Sequence, residues 1–420
     1  MTGSSHKKFK VVTLGCRTNQ YESAAYANQL KEMGYVEACD NEKADLCIVN
    51  TCTVTESADS SSRLEIRRLA KKYPESRIVV TGCLAERLPE EIARLDGVSQ
   101  VIPNQKKEDL LKIVFPEEEN LPEFQIDHFP AHTRAFVKVQ DGCNSFCTYC
   151  IIPYVRGRSR SRPIPAIIRE VEGLIENGYK EVVLTGINIG DFEGEHGERL
   201  ADLVSLVDKI PGLKRLRLSS IDPDEVDAQL TRAIIEGKTT CHSLHLVLQS
   251  GSNLILKRMN RKYTRQIFLE TVEKLQKIDP DFTFTTDLIV GFPGETEREF
   301  EETLQLMEQI QFAKVHMFPY SKRTRTRAAL YTDQVPRDII TERKQLLLAR
   351  AESGSYALRD KYIGRTLECL LETKNQEGDH SGHSDNFLPI LLRGEYRSND
   401  LVLVECVANS QEGLIGRCVL

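Results

Sequence analysis

Ala135-Phe136-Val137-Lys138-Val139-Gln140-Asp141-Gly142-Cys143-Asn144-Ser145-Phe146-Cys147-Thr148-Tyr149-Cys150 is a strand-like run that leads straight into three closely spaced cysteines. Residues 135–140 have the length and composition of a strand, and Asp141-Gly142 turns the chain out of it. In α/β folds the site lies at the carboxyl ends of the strands. The spacing Cys143-x-x-x-Cys147-x-x-Cys150 therefore falls where a reaction centre is expected. Three thiolates suit a soft metal. A structural zinc site takes four ligands, usually as two pairs, and no second C-x-x-C accompanies this group. A four-iron cluster held by three cysteines leaves one iron open to bind and reduce a small molecule. Spacing and placement favour the cluster over zinc or chance.

Working outward, strand-like runs recur at 181–185, 215–219, 244–249, 283–290 and 314–318, with helical patterns at 166–177, 265–278 and 297–310. Repeated βα units of roughly 30–45 residues point to an α/β barrel. Six units are fewer than the eight of a full barrel. A partial (β/α)6 barrel is therefore expected over 128–358, with a further helix at 337–361. Upstream, the apolar runs 11–14, 46–49 and 78–80 alternate with helical stretches at 22–33 and 57–72. They predict an α/β domain with a parallel sheet over 1–120, ending in the acidic, Pro-flanked linker Phe115-Pro116-Glu117-Glu118-Glu119-Asn120-Leu121-Pro122. Over 361–420, short alternating runs at 366–371, 387–392, 401–406 and 414–418 predict a small β-barrel. The fold class expected is α/β with this β-barrel appended.

The composition is that of a soluble globular protein: 40% hydrophobic, 28% charged, net charge −6 over 420 residues. No apolar run approaches the ~18–20 residues of a membrane span. The polar start Met1-Thr2-Gly3-Ser4-Ser5-His6 lacks a secretory stretch, so a cytoplasmic protein without membrane contact is expected. In a reducing compartment, twelve cysteines argue for metal or catalytic use rather than disulfides.

The N-terminal domain repeats one device three times. Val12-Thr13-Leu14-Gly15-Cys16, Ile48-Val49-Asn50-Thr51-Cys52 and Val79-Val80-Thr81-Gly82-Cys83 are strands ending in cysteine. The intervals of 36 and 31 residues each fit one βα crossover. Parallel strands bring Cys16, Cys52 and Cys83 to one sheet edge, which favours metal binding over packing. Cys39 and Cys47 suit the blander role of filling gaps.

The wider segment, from Gln140 through the triad to Ile151-Ile152-Pro153-Tyr154-Val155-Arg156-Gly157, resembles the radical-SAM superfamily and within it the methylthiotransferases. Leu184-Thr185-Gly186-Ile187-Asn188, Leu248-Gln249-Ser250-Gly251 and Thr286-Asp287-Leu288-Ile289-Val290-Gly291 extend the likeness. It implies two 4Fe-4S clusters, one on Cys143, Cys147 and Cys150 and an auxiliary one on Cys16, Cys52 and Cys83. It implies S-adenosylmethionine (SAM) as cofactor, with Thr185, Gly186 and Asn188 at its methionine end and Gln249 and Asp287 near its ribose or adenine. A low-potential electron donor, flavodoxin- or ferredoxin-like, and a sulfur source follow from the same chemistry. The C-terminal domain resembles the TRAM module, an RNA-binding barrel. Thr13-Leu14-Gly15-Cys16-Arg17-Thr18-Asn19-Gln20 and Tyr320-Ser321-Lys322-Arg323 look most like the branch that modifies N6-threonylcarbamoyladenosine in tRNA. The other branches act on isopentenyl-adenosine in tRNA or on a ribosomal-protein aspartate. Where the first branch carries Pro-Gly, this chain has Thr324-Arg325, so a different loop backbone is expected.

Basic runs follow three of the barrel strands. Arg156, Arg158, Arg160 and Arg162 follow the first, Lys257, Arg258, Arg261, Lys262 and Arg265 the fourth, and Lys322, Arg323, Arg325 and Arg327 the sixth. Clustered on one face they suit a phosphate backbone, and Arg156, Arg158, Arg160, Arg162, Lys322 and Arg323 are the expected RNA contacts. Residues 361–420, with six Lys or Arg and nine Asp or Glu, are too acidic for a general RNA-binding barrel; shape-specific contact or domain packing is the alternative. None of the nine histidines sits in a catalytic-looking motif, and no general acid or base is assigned. A reading of another class is a zinc-bearing, non-catalytic RNA-binding protein, which would be colourless where iron–sulfur protein is brown.

Overall fold

Leu46-Cys47-Ile48-Val49-Asn50-Thr51 is buried at every position, as a central strand with helices on both faces must be. In the computed structural model, which describes residues 7–39, 42–129, 132–375 and 378–419, this run is β3 of a five-stranded parallel sheet. The strands are β1 (Lys8–Thr13), β2 (Val36–Glu37), β3 (Leu46–Thr51), β4 (Arg77–Gly82) and β5 (Val98–Val101), in the order β2-β1-β3-β4-β5. Leu46 and Ile48 pack on Tyr26 and Leu30 of α1 (Arg17–Glu32). Cys47 and Val49 face the other way, onto Ile66 and Leu69 of α2 (Glu56–Lys72). Cys47 is thus a core residue and Cys39 an exposed one.

The second unit has six parallel strands in two sheets of three. The strands are β6 (Arg134–Lys138), β9 (Glu181–Thr185), β10 (Arg215–Leu218), β11 (Ser243–His245), β12 (Thr283–Val290) and β13 (Lys314–Pro319). Between the first two lie the short antiparallel pair β7 (Gln140–Asp141) and β8 (Arg160–Ser161). Single parallel pairings, Leu216 with Thr240 and Ile221 with Leu246, join the two sheets. Among the described residues nothing pairs β6 with β13, so the barrel is partial. Tyr21, Ala24 and Ala25 of α1 share one core with Phe129, Phe136 and Val137, so the N-terminal domain packs beside β6. The expected strand at 244–249 stops at His245 because the chain then makes only single pairings, Leu246 with Ile221 and Gln249 with Leu288.

Five strands close the C-terminal barrel: β14 (Thr366–Lys374), β15 (His380–Ser384), β16 (Pro389–Leu392), β17 (Leu401–Asn409) and β18 (Leu414–Cys418). Strand β15, His380-Ser381-Gly382-His383-Ser384, has no apolar alternation and was not among the expected strands. This barrel caps the amino ends of the central strands. Arg215 donates to the carbonyls of Glu368 (2.6 Å) and His383 (2.9 Å), and Arg217 to that of Asp385 (3.0 Å). The Phe387 ring lies 5.6 Å from the Arg134 guanidinium and 5.0 Å from that of Arg217. Domain packing therefore accounts for much of its surface. Among the described residues no helix is long and apolar enough to cross a membrane.

Candidate active site: two cysteine triads on one cavity

Gly142 has φ +74°, and a Cβ there would run into the carbonyl of Arg158. The chain can therefore fold back, and β7 pairs with β8. The loop between them is held by its backbone. Cys143 N donates to Gly157 O (3.1 Å), Thr148 N to Met259 O (2.9 Å), and Cys150 N to Cys147 O (3.0 Å). Burial pushes the Cys143 and Cys150 thiols up, and the neighbouring thiols of the triad push the same way. Cys147 Sγ accepts from Arg261 Nη1 at 3.0 Å, and Arg261 is itself tied to Asp222.

The N-terminal thiols come from three strand ends. Cys16 caps α1, Cys52 follows β3, and Cys83 opens the short helix α3 (Cys83–Arg87) after β4. The register sets Thr13 opposite Asn50 and Thr51 opposite Gly82, which brings the ends level. A Cβ on Gly15 would stand 2.8 Å from Cys52 Cβ and 2.9 Å from its Sγ, so glycine allows that approach. Cys83 is buried. Burial pushes its thiol up to about 12, and the charges of Cys52 and Cys16 add to the rise. Cys16 is exposed.

The two triads meet. Cys83 packs with Ile151, Ile152 and Val155, and Cys143 and Cys150 pack on the same cluster. A cavity of about 520 Å³ is lined by Cys16, Cys52 and Cys150 together with Gln249, Asp287 and Tyr320. The Gln249 side-chain oxygen Oε1 and the Tyr320 hydroxyl are buried with no hydrogen-bond partner among the described residues. A buried polar atom left without a partner costs about 1–3 kcal/mol, so these two atoms suit a polar ligand. Asp287 stands 3.3 Å from His245 Nε2.

Thr185, Gly186 and Asn188 do not line this cavity. They form the turn after β9. A Cβ on Gly186 would sit 2.8 Å from Gln140 Oε1, which accepts the amides of Ile187 (3.0 Å) and Asn188 (3.1 Å). The Asn188 side chain donates to Glu225 at 2.8 Å. Burial, with Asp222 adding to it, pushes Glu225 up to about 7. Asp222 and Glu225 escaped the sequence reading, and Arg261 was read only as part of a basic run. The one available signal was the position of Asp222-Pro223-Asp224-Glu225 just past a strand end.

Several expected RNA contacts need correction. Arg156 is 1% exposed. Its guanidinium crosses to Glu22 (3.0 Å) and Asn19 of the N-terminal domain and also holds Asp141 (2.8 Å) of its own unit. Lys107 and Lys138 join the same network, at 2.6 Å from Glu22 and 2.9 Å from Glu108. Burial alone would raise Glu22; Arg156, Lys107 and Lys138 hold it down at about 2. Arg323 is 2% exposed and bound to Asp59 at 2.7 Å, a carboxylate that Arg87 shares. Neither arginine can reach a phosphate, because each guanidinium is already committed inside the protein. Arg162 is half-buried and paired with Glu170 at 2.6 Å. Arg158, Arg160 and Lys322 are exposed, and Arg158 lies 4.2 Å over the Phe146 ring. Arg325 adopts φ +75°, a left-handed backbone that favours glycine, at the second of the two positions where the resemblance implied Pro-Gly.

Among the described residues no group of three or more His, Cys, Asp or Glu gathers around a single ion. A four-iron cluster sets each of three thiolates on a different iron, so thiols that do not converge on a single point fit that donor set.

A family model described as the radical SAM superfamily matches residues 137–307, and one described as uncharacterized protein family UPF0004 matches 8–103. Threonylcarbamoyladenosine tRNA methylthiotransferase MtaB of Chlamydia pneumoniae is 49% identical over 98% of this chain and 98% of its own length. tRNA-2-methylthio-N(6)-dimethylallyladenosine synthase of Carboxydothermus hydrogenoformans is 36% identical over 99% of this chain and 96% of its own. The radical S-adenosylmethionine methyltransferase TsrM of Kitasatospora setae, solved with cobalamin and a 4Fe-4S cluster, matches at TM-score 0.52 and 13% identity over 75% of each chain, a likeness of fold alone.

Proposed function

Since this chain belongs to the radical-SAM tRNA methylthiotransferase family, we propose that it inserts a methylthio group at C2 of N6-threonylcarbamoyladenosine, at position 37 of tRNA. The observation that carries the reading is the single cavity on which cysteines of both triads open. The family's chemistry needs SAM and an iron–sulfur cluster, and two triads support two clusters. Cys143, Cys147 and Cys150 would hold the cluster that supplies the electron for SAM cleavage, and Cys16, Cys52 and Cys83 would hold an auxiliary cluster that supplies the sulfur.

The protein's own residues supply position. Gln140 fixes the turn 186–188, and the Arg156 network locks the two cysteine-bearing domains together. Ile151, Ile289 and Phe318 give the cavity apolar walls that exclude water. Gln249, Asp287 and Tyr320 offer the polar contacts within it. Residues 1–120 would serve as the auxiliary-cluster domain, 128–358 as the SAM-cleaving core and 361–420 as a TRAM-like cap. A low-potential flavodoxin- or ferredoxin-like donor and a sulfur source complete the reaction. Exposed Arg158, Arg160 and Lys322 would hold the tRNA backbone.

The 49% identity to a threonylcarbamoyladenosine enzyme supports this branch, and the 36% identity to a dimethylallyladenosine enzyme supports the second reading. The test is reaction with anticodon stem-loops carrying threonylcarbamoyl, isopentenyl or unmodified adenosine. Methylthiolation of the threonylcarbamoyl form is expected. Equal or preferred turnover of the isopentenyl form would refute the branch and leave the radical chemistry standing.

A further inference from the structure

Arg17 follows Cys16 directly and begins α1. Its guanidinium lies 5.4 Å from the ring of Phe136 on β6. Its charge is felt with those of Arg134, Arg217, Asp287 and Glu181, and it acts in turn on His316. Those groups sit on β6, β10, β12, β9 and β13. With its guanidinium on Phe136 and the preceding Cys16 lining the cavity, Arg17 stands where the N-terminal domain meets the barrel, within charge range of those strands.

There it has no counterpart. Among the described residues no carboxylate lies within ion-pair distance of Arg17, and no hydrogen bond satisfies its guanidinium. Fully buried lysine and arginine are almost always paired. The deeply buried arginines here obey that rule, Arg156 with Glu22, Arg217 with Glu181 and Arg261 with Asp222, while the partly buried Arg17 is left open to a ligand. The strongest charges beside Arg17 are like charges, Arg134 and Arg217. The lumen around it is polar, with His245 bonded to Thr285 at 2.9 Å and facing Asp287. Asp287 also lines the cavity on which both triads open, so the lumen is continuous with the reaction space.

An anion entering from that cavity would find a partly buried cation that no carboxylate of the protein neutralises. The threonylcarbamoyl group carries one carboxylate, and an isopentenyl group carries none. Resting on the proposed function, we propose that Arg17 binds the substrate's carboxylate and is the residue that reads the modification already present on the adenosine. The planar guanidinium suits two-point recognition of a carboxylate.

The experiment compares three anticodon stem-loops by fluorescence anisotropy on cluster-loaded protein: the threonylcarbamoyl form, its neutral carboxamide isostere, and the isopentenyl form. Wild-type protein should bind the acid about 10- to 100-fold more tightly than the carboxamide, the range for a charge-assisted hydrogen bond. Arg17→Met should bring that ratio to about one by weakening the acid, and Arg17→Lys should keep part of it. A wild-type ratio near one overturns the proposal without any variant. A full ratio surviving in Arg17→Met overturns it as well. Wild-type preference for the isopentenyl form would instead strike the proposed function, so the two failures are told apart.

Discussion

The central cysteines lie within eight residues of one another, whereas the N-terminal three come from strand ends 36 and 31 residues apart. The first triad is shaped by one loop, through the turn at Gly142 and the bond from Cys143 N to Gly157 O. The second exists only when β1, β3 and β4 are in register. One site is written into local backbone, the other into a folded domain. What joins them is neither sequence nor metal but a buried set of charges, with Arg156 from the central unit reaching Glu22 in α1.

The sharpest break between the triads should come from single cysteines. Cys147→Ala should abolish reductive cleavage of SAM. Cys52→Ala should leave formation of 5′-deoxyadenosine and abolish sulfur insertion. Anaerobically reconstituted protein should carry about eight irons per chain and the Cys52→Ala protein about four. Iron that stays at four in the wild type would remove the auxiliary cluster from the comparison.

The junction between the two regions should give the next effect. Arg156→Met takes the guanidinium from Glu22 and Asp141 and leaves them Lys107 and Lys138, so the cost in denaturant unfolding should be at most about 3–5 kcal/mol, that of a broken buried pair. The pH dependence carries the sign. Glu22 is held at about 2 against an ordinary 4.5, so its contribution is present above pH 4.5 and is lost as pH falls toward 2. Glu22→Gln should flatten that limb of the stability curve. An unchanged acid limb would mean that the network does not fasten the domains.

The smallest effect separates buried from exposed arginines. Arg158→Ala or Lys322→Ala should each reduce the log–log salt slope of tRNA binding by up to about one. Arg323→Ala should leave the slope as it is and lower the melting temperature, because Arg323 is tied to Asp59. A slope change in the Arg323 variant would return that residue to the RNA-facing set.

How far the sequence could be read follows the same division. The strands Glu181–Thr185 and Thr283–Val290 and the helices Arg265–Ile278 and Glu297–Ile310 match their expected bounds, because apolar periodicity and caps mark them. Helix α1 was expected from residue 22 but begins at Arg17. Its first turn, Arg17-Thr18-Asn19-Gln20, is polar and looks like loop, yet it carries the side chains that reach the other domain. A run of arginines reads as a basic surface whether or not each one has a buried carboxylate awaiting it. Glu22, which Arg156 reaches, is 134 residues away and Asp59, which Arg323 reaches, is 264 away, and no local pattern announces either. Serine, glycine and histidine in β15 conceal a strand that is made by its neighbours rather than by its own residues.

The C-terminal barrel closes the amino ends of the central strands with Phe387 and the carbonyls that bind Arg215 and Arg217. The amino ends of these strands are therefore spent on anchoring the cap, and the chemistry is left to the opposite ends, where the cysteines stand.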